Sequence, residues 1–516
     1  MTETAERTTA AVDARFDELQ TKLVPLWRSI ERMSQDEQTI VVVPSMSVDL
    51  AVSGAEMQIY EERFLFLLLL LRQPRARLVY VTSRQVLPEI IDYYLDLIPG
   101  VIPSHARPRL HLVTPLDGSA RPLTDKLLER PRLLAQIRSL IPDPDQAHLV
   151  PFNTTELEQE LAVRLGIPMF AADPRYFPLG TKSGCRRLFA EEGVVHPIGI
   201  ENLGSVGELV EAICRLRATK PSLEQVLVKL NEGVSGEGNA LVELRDLPEP
   251  GSANETDAIS QRVQAMSFEL KVAIYDGYVD KLERRGGIVE ERISGDEFRS
   301  PSVQLRITPL GKVELLSTHD QVLGGPSGQS YLGARFPADF AYAGSISAEA
   351  RTIGDRLAKE GVLGRFAVDF VVVRGTDGGW DPFAIEINLR KGGTTHPFLT
   401  LQFLTDGRYD PSTGLFRTPT GAEKHLVATD HLESPLLRGL RLDDLFDVVA
   451  RHGLHYDQSR QTGVVLHMLS CVTEEGRIGL TAVGDSPAEA QKTYQHAEQI
   501  LLDEARAALA DGPPLA

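Results

Sequence analysis

The sequence predicts an α/β protein in its first third and a mixed α+β protein in the remainder. Three observations predict this class. Strand-like and helix-like patterns alternate from residue 39 to residue 168, glycine-turn and strand patterns replace them from about residue 176, and the tail after about residue 420 contains two strand patterns and one long helix pattern. Alternating strands and helices are typical of a parallel sheet that is covered by helices.

The first third begins with helical spacing at residues 12–34 and continues with four predicted strands. These lie in TIVVVPSMS (39–47), ARLVYVTS (76–83), RLHLVTP (109–115) and AHLVPFNTTELEQELAVRLGIP (147–168), the last of which also contains a cap and a helix. Between the first two strands, FLFLLLLL (64–71) predicts the buried core of a helix. Its eight residues are too few to span a bilayer, which needs about 20.

From about residue 176 the patterns predict strands joined by glycine-rich turns. LVKLNEGVSGEGNALVEL (227–244) predicts a strand, a glycine loop and a strand, and GGIVEERISGDEF (286–298) predicts a further strand. RFAVDFVVVRGTDGGWDPFAIEINLRKGG (365–393) predicts a hairpin with GTDGG at its tip. The middle of the chain is therefore expected to contain antiparallel pairs.

The tail predicts a small α+β unit. GVVLHMLS and RIGLTAVG have strand patterns, and a long helix pattern follows them. Ser486 is the expected N-cap of that helix, Pro487 its first residue and Glu489 the partner that completes a capping box.

Composition and charge exclude several classes of function. The chain has 516 residues, of which 42% are hydrophobic, as in ordinary globular proteins. Its net charge of −18 argues against general nucleic-acid binding, which needs a basic footprint. The three cysteines lie far apart, so we expect neither a zinc site nor a disulfide framework. The polar, acidic start is unlike a signal peptide, and we expect a cytoplasmic protein that binds neither nucleic acid nor a membrane.

Polar side chains on the predicted hairpin indicate a metal site. Glu386 and Asn388 alternate on one strand, so they share a face, and Arg390 joins them. Asp369 lies in an apolar run on the preceding strand, where a lone buried carboxylate is unfavourable unless it is paired or metal-bound. Magnesium prefers hard oxygen ligands and usually keeps substrate phosphates in its shell. The alternative interpretation is a solvated face of an antiparallel sheet.

A second candidate is the glycine loop that follows Lys229. Gly233, Gly236 and Gly238 let the backbone approach a ligand closely, and amide groups in such a loop can cradle phosphate oxygens. Ser235 lies in the same loop. The alternative is an ordinary turn, since the segment lacks the GxxxxGKS or GxxxxGKT pattern.

A third candidate is the acidic end of the strand in GGIVEERISGDEF. Glu290 and Glu291 end the apolar run, and Glu297 follows shortly after. The alternative is a strand end with surface acids.

In chain order, these motifs give a lysine (Lys182), a lysine with a glycine loop, an acid-ended strand, an aspartate and a Glu-x-Asn. This order resembles the ATP-grasp superfamily of carboxylate–amine ligases over about residues 176–400, and the preceding unit resembles its pre-ATP-grasp domain. NLRKGGTTHPF and STHDQVLGGPSGQSYLGARFP are similar to the pheganomycin-type peptide ligases, a branch with its own C-terminal domain.

The resemblance implies a Rossmann-like parallel sheet, a two-lobed ATP-grasp core and a small α+β C-terminal domain. The implied units are an N-terminal helix (1–36), the pre-ATP-grasp domain (37–175), lobe A with the glycine-rich lid (176–260), lobe B with the hinge and metal site (261–418) and the C-terminal domain (419–516).

The resemblance also implies an ATP site. Lys182 and Lys229 would contact the phosphates, and residues 231–239 would be a lid over them. The segment from Glu290 would be the hinge beside adenine, with either adjacent glutamate in register, and Glu297 would hold the ribose. The implied nucleotide-binding residues are Lys182, Lys229, Gly233, Ser235, Gly236, Gly238, Glu290, Glu291, Ile293 and Glu297.

The implied catalytic residues are Lys182, Arg390 and His396, beside one or two Mg2+ ions. The implied metal ligands are Asp369, Glu386 and Asn388. Arg390 would lie near the γ-phosphate or the acyl phosphate, and RKGGTTHP would be a substrate loop. His396 is a candidate to receive the amine proton, because an imidazole titrates near neutrality; the alternative is a structural histidine before a proline.

The implied function is an ATP- and Mg-dependent ligase that joins an amino-acid-like carboxylic acid to the amine of an amino acid or peptide. The reaction would pass through an acyl phosphate and release ADP and phosphate. The main alternative is a small-molecule kinase on the same scaffold, and a further one is an ATP-binding protein without catalysis. A homodimer is a family-level expectation.

Overall fold

The computed structural model describes residues 2–31, 37–48, 53–233, 236, 238–270, 273–325 and 328–510. Near the N-terminus, four strands form one sheet: β1 (Gln38–Val43), β2 (Ala76–Val81), β3 (Leu110–Val113) and β4 (Ala147–Pro151). They lie in the order β3-β2-β1-β4, and every neighbouring pair is parallel. The predicted parallel sheet is thus confirmed.

Helices surround this first sheet. They are α1 (Thr2–Gln20), α2 (Leu23–Glu31), α3 (Gly54–Glu62), α4 (Pro88–Asp96), α5 (Pro103–Ala106), α6 (Leu123–Leu128), α7 (Pro131–Ser139) and α8 (Glu156–Leu165). The helical spacing predicted at 12–34 corresponds as far as residue 31 to α1 and α2, which a turn separates, and residues 32–34 lie outside the described residues. The apolar run at 64–71 is buried as predicted, but it forms a 3-10 helix over Leu65–Arg72.

The second sheet has five strands and is antiparallel. Its strands are β5 (Gly199–Leu203), β6 (Gln225–Leu230), β7 (Asn239–Glu243), β8 (Ser267–Phe268) and β9 (Gly287–Glu291). They lie in the order β5-β9-β6-β7-β8. The helices of this region are α9 (Lys182–Glu192), α10 (Val206–Thr219), α11 (Glu255–Gln264) and α12 (Tyr275–Arg285). Strands β6 and β7 are the strand–loop–strand unit predicted at 227–244.

The third sheet has nine strands. Those before the tail are β10 (Phe298–Arg299), β11 (Pro301–Ile307), β12 (Val313–Gly324), β13 (Ser330–Phe336), β14 (Gly364–Arg374) and β15 (Trp380–Asn388). Helices α13 (Phe340–Glu360) and α14 (Thr395–Thr405) belong to the same stretch, as does the separate pair β16 (Arg408–Asp410) and β17 (Leu415–Arg417). Strands β14 and β15 form the predicted hairpin, with residues 375–379 at its tip.

The tail completes the third sheet. Its elements are β18 (His425–Glu433), α15 (Leu442–Arg451), β19 (Gly463–His467), α16 (Val472–Glu475), β20 (Arg477–Gly484) and α17 (Pro487–Ala510). Strand β18 pairs with β13, so the order continues β13-β18-β20-β19. Strands β19 and β20 and helix α17 were predicted, whereas β18 was not. At the start of α17 the Ser486 hydroxyl accepts a hydrogen bond from the Glu489 amide, as predicted for the N-cap. The Glu489 carboxylate accepts a hydrogen bond from the Asp485 amide, whereas the predicted capping box uses the amide of Ser486 itself.

One hydrophobic cluster connects the first sheet to the tail. It contains the 3-10 helix Leu65–Arg72, side chains of α14 and apolar side chains of β18, β19 and β20. Apolar side chains lie on every face of the run at 64–71, as is typical of a helix that is surrounded by the rest of the protein. None of the helices among the described residues is both long and apolar enough to cross a membrane.

Candidate active site

A cavity of about 920 Å3 opens where the second and third sheets face each other. It extends to α3 of the first domain and to β18 and β20 of the tail. The predicted site residues that line it are Lys182, Lys229, Gly233, Gly236, Gly238, Glu290, Glu291, Ile293, Asp369, Glu386, Asn388 and Arg390. The structure thus brings together residues that span more than 200 positions of the chain.

The predicted metal ligands lie side by side on the β14–β15 hairpin. Asp369 pairs directly with Glu386, and the Asn388 side-chain amide donates to Asp369 at 2.9 Å. Burial and the adjacent Glu386 raise the pKa of Asp369 to about 6. Burial alone would raise the pKa of Glu386, but Lys182, together with Arg390 and Lys229, holds it below its ordinary value. The predicted convergence of two carboxylates and an amide is confirmed.

A β-bulge aims Glu386 into the cavity. Asp369 pairs with Glu386 while Phe370 pairs with Ala384, which leaves Ile385 as an extra residue. Side chains two apart on a regular strand share a face, and Ala384 is buried in the core. Because the extra residue reverses the alternation, Glu386 faces the cavity instead.

Both predicted phosphate-contacting lysines are paired with carboxylates. Lys182 Nζ lies 2.5 Å from Glu386 Oε1, and Lys229 Nζ lies 2.5 Å from Glu290 Oε1. Arg186, which sequence reasoning missed, holds the other Glu290 oxygen at 2.8 Å. In the sequence, its position one helical turn after Lys182 on α9 is the feature that could have indicated its place beside the site.

The adjacent glutamates of the predicted hinge have different partners. Glu290 is 1% exposed and lies between Lys229 and Arg186. Glu291 bonds Lys220 at 2.5 Å and accepts the Ile198 amide at 3.1 Å. Both side chains and Ile293 line the cavity.

The glycine loop faces the β12–β13 connection across the cavity. Gly236 has φ of +82°, and a Cβ there would lie 3.2 Å from the Gln329 carbonyl oxygen. Asn239, at the end of the loop, donates to Gln329 Oε1 at 2.7 Å. Ser235 lies outside the described residues.

Two predicted site residues are not brought to the cavity. Glu297 is exposed and does not line it, although Ser294, Gly295 and Phe298 on either side of it do. The ribose role of Glu297 stays a prediction. His396 lies in the first turn of α14 rather than in a loop, and it is 4% exposed.

His396 belongs to a buried cluster instead. Its Nε2 lies 3.0 Å from His467 Nε2 and 3.1 Å from Asp430 Oδ1, which is also 3.1 Å from His467 Nε2. Burial lowers the pKa of His396 to about 4, although Asp430 opposes the shift. Two imidazoles and a carboxylate are a donor set that a divalent metal accepts. His396 does not line the cavity, and a pKa of about 4 makes it a weak proton acceptor, so its catalytic role stays a prediction.

The far end of the cavity contains residues that no motif marked. Arg63 follows α3, Arg477 begins β20, and both line the cavity together with Tyr60 and His431. They come from opposite ends of the chain, so spacing in the sequence could not associate them.

The facing sheets, the glycine loop and the carboxylate pair define the ATP-grasp class. Models of three protein families match the chain: the pre ATP-grasp domain over residues 79–167, the IQCH-like ATP-grasp over 177–273 and 257–411, and the PGM1 C-terminal domain over 444–497.

A curated relative narrows this class to one branch. L-propargylglycine–L-glutamate ligase of Streptantibioticus cattleyicolor is 33% identical over 448 residues, which cover 86% of this chain and 89% of the relative. The chain belongs to the pheganomycin-type ATP-grasp ligases, and it is an ATP-dependent ligase. IQ motif-containing protein H of Danio rerio is 23% identical over 67% of this chain, and the match covers 36% of that longer protein.

Solved structures share the fold at low identity. An ADP complex of N5-carboxyaminoimidazole ribonucleotide synthetase is 12% identical with a TM-score of 0.52, covering 91% of this chain and 98% of its own. Biotin carboxylase from Campylobacter jejuni, in complex with an ATP analogue, is 12% identical with a TM-score of 0.53, covering 91% and 95%.

Proposed function

We propose that the protein uses ATP and Mg2+ to join an amino-acid-like carboxylic acid to the amine of an amino acid or peptide. The observation that carries this proposal is the face formed by Asp369, Glu386 and Asn388, with Lys182 and Arg390 beside it. The relative that joins L-propargylglycine and L-glutamate, as its name states, supports two amino-acid substrates.

The residues of this face fit magnesium. They offer two carboxylates and an amide oxygen, the hard ligands that this ion takes in phosphate sites. The Lys182 ammonium against Glu386 marks a position where positive charge is favourable. When bound, Mg2+ would neutralise charge on the ATP phosphates.

The protein's own groups would position the reactants and stabilise charge. A substrate carboxylate oxygen attacks the γ-phosphorus and ADP leaves. The amine of the second substrate attacks the acyl carbon, phosphate leaves, and the amine gives up a proton. Lys182, Lys229 and Arg390 offset phosphate charge throughout.

The glycine loop would exclude water. An acyl phosphate hydrolyses readily, so a lid that closes before the amine attacks protects the intermediate. We assign no proton transfer to His396, since it lies outside the cavity. A homodimer and a cytoplasmic location remain predictions.

Product analysis tests the proposal. The protein is incubated with Mg-ATP and pairs of amino acids, including L-propargylglycine with L-glutamate, and nucleotides and products are identified by mass spectrometry. We expect ADP and a condensed amide. A phosphorylated small molecule without an amide would indicate the kinase alternative, and AMP with pyrophosphate would exclude an acyl phosphate.

A further inference from the structure

Two guanidinium groups meet at the end of the cavity that the proposed ATP site leaves free. Arg63 lies 4.5 Å and Arg477 5.6 Å from the centroid of the Tyr60 ring. Both arginines and the ring line the cavity. The first domain supplies one arginine and the tail supplies the other, so this site exists only in the assembled chain.

Arg477 is buried and Arg63 is largely buried, and their partners leave donors unused. Arg477 is 6% exposed; its Nε donates to the Asp430 carbonyl at 2.7 Å, and one terminal nitrogen lies 3.0 Å from His431 Nε2. The Arg63 side chain is 11% exposed and lies 3.3 Å from Asp430 Oδ2. A guanidinium has five N–H donors, so among the described residues most of these ten lack an acceptor.

Asp430 is the centre that holds the two arginines. Its carboxylate faces Arg63, and its backbone carbonyl fixes Arg477. The same carboxylate is shared with His396 and His467, which anchor it from the buried side. Asp430 therefore supplies one negative charge beside two guanidinium groups, and a positive charge is left over.

Among the described residues, neither acid at the rim forms an ion pair with these arginines. Glu56 also lines the cavity, but its carboxylate accepts the Ser53 amide at 2.9 Å. Glu433 lies opposite Arg477 in the β18–β20 pairing and lines the cavity, but it is exposed, so water screens its charge. A buried cation with spare, forked donors matches a carboxylate, which it can bind through two parallel hydrogen bonds.

The arginine pair and the metal face belong to one continuous cavity. Tyr331 also lines this cavity; burial raises its pKa, as do the charges of Asp430 and Asp369, and Arg63 opposes them. Gly393 makes room for this ring, since a Cβ there would lie 2.4 Å from it. A small substrate can thus span from the arginines to the place where the acyl phosphate would form.

We propose that Arg63 and Arg477 bind the free carboxylate of the amino acid whose amine attacks the acyl phosphate. This inference rests on the proposed ligase function. The reacting acid gives up its own carboxylate to the γ-phosphoryl group, whereas the amino acid that supplies the amine keeps its carboxylate and needs a cationic anchor. Tyr60 is the platform that orients the two guanidinium groups.

Conservative variants test this subsite through binding. Arg477→Lys and Arg63→Lys keep the charge but lose the fork. Calorimetry in the presence of MgADP measures binding of the twenty proteinogenic amino acids and L-propargylglycine to the wild type and to both variants. Because charge-assisted hydrogen bonds are lost, we expect affinity for the bound amino acid to fall about 10- to 100-fold. Arg460→Lys, 80% exposed, should bind like the wild type.

A second comparison tests the group that is recognised. The amino acid that binds is replaced by the amine that lacks its carboxylate. The wild type should prefer the amino acid by about 100-fold, and Arg477→Lys should narrow that preference to less than about tenfold. Should Arg477→Lys fail to fold by circular dichroism, Arg63→Lys gives the same readout.

The outcomes separate the two proposals. Unchanged affinity and preference in folded variants would overturn the subsite, as would a wild type that binds none of these amino acids. ADP release without any condensed amide would overturn the ligase function, while the binding comparison would still decide whether the arginines hold a carboxylate.

Discussion

Asp369 and Glu386 form a pair of adjacent carboxylates that burial and mutual repulsion make unfavourable without a counter-ion. The raised pKa of Asp369, about 6, has both causes. Lys182 forms its ion pair with Glu386 and not with Asp369. A cation that bridges the pair would relieve both, which is the physical reason to expect metal dependence here.

The first prediction is that Asp369→Asn and Glu386→Gln each lower ATP turnover by at least about 100-fold, because each removes a charged ligand that stabilises the transferring phosphoryl group. ADP release by the purified variants measures it. Asp377→Asn, at the exposed tip of the same hairpin, is the matched control and should retain normal turnover. Normal rates in both site variants would refute the metal assignment.

The second prediction concerns His396. A buried side chain with a pKa of about 4 cannot set a limb of a pH–rate profile near neutrality. His396→Asn should therefore keep the shape of the kcat/KM profile between about pH 6 and pH 9. It should be less stable by about 1–3 kcal/mol, since Asp430 loses a buried partner. Loss of one limb of the profile would restore the histidine as a proton acceptor.

At the scale of elements, Gly236 and Asn239 of the glycine loop lie against Gln329 of the β12–β13 connection, where the proposed lid would close. Gly236 uses left-handed backbone and lies against the Gln329 carbonyl. A side chain there would meet that carbonyl and hold the loop away from the phosphates.

The third prediction is that Gly236→Ala raises the KM for ATP about 3- to 10-fold, whereas Gly251→Ala leaves it unchanged. Both positions have a φ near +80°, and nothing lies within 4 Å of a Cβ at 251. Both variants therefore carry a similar backbone strain, about 1 kcal/mol, and only the first obstructs the lid. Initial rates at varied ATP measure the effect, and equal KM values in the two variants would contradict it.

The hairpin shows which parts of the site a sequence can predict. Asp369, Glu386 and Asn388 lie on two strands joined by a short turn, so the period of a strand and the turn residues predict their convergence. The bulge at Ile385 was not predictable, because no residue type requires it. The polar residues of β15 have a pattern that fits both a regular solvated strand and a bulged strand. Only the pairing register distinguishes these two structures.

Helix α14 shows why the histidine was misplaced. Its first residues are Thr395, His396 and Pro397. A proline often ends helices, yet the first turn tolerates it because the amides there have no helical partner. Only the last three residues of the predicted substrate loop are therefore the start of a buried helix, while Arg390, Gly392, Gly393 and Thr394 line the cavity.

At the scale of the whole molecule, the remaining part of the site depends on contacts between distant segments. Arg63 and Arg477 line the cavity, and Arg186 binds Glu290 in its wall, although the three arginines lie far apart in the sequence. Strand β18 also escaped prediction, although it joins the tail to the third sheet. Local propensity and spacing do not indicate which edge of a sheet a later strand will pair with. By contrast, the composition of the run at 64–71 was enough to predict that this run is buried.

Lys391 links the third sheet to the first. It is 9% exposed, its Nζ donates to the Pro151 carbonyl at 2.5 Å, and it lies 5.8 Å from the Phe64 ring centroid. Burial, with a smaller effect of Arg365, lowers its pKa to about 7. An unfolded lysine has a pKa of about 10.4, so between these values the unfolded chain binds more protons than the folded one.

The fourth prediction follows from this difference: as pH rises from about 7 towards 10, Lys391 makes the free energy of unfolding increase by up to about 1.4 kcal/mol per pH unit. Below about pH 7 both states are protonated, and the unfavourable effect of burial is constant. Lys391→Met should abolish this rise, so its stability advantage over the wild type should be largest at pH 7 and shrink at pH 9. Urea unfolding at pH 7, 8 and 9 measures the difference, with Lys359→Met, exposed on α13, as the control. A difference that is equal at pH 7 and pH 9 would mean that Lys391 keeps its proton in the folded protein and that the junction between the two sheets contains a buried charge.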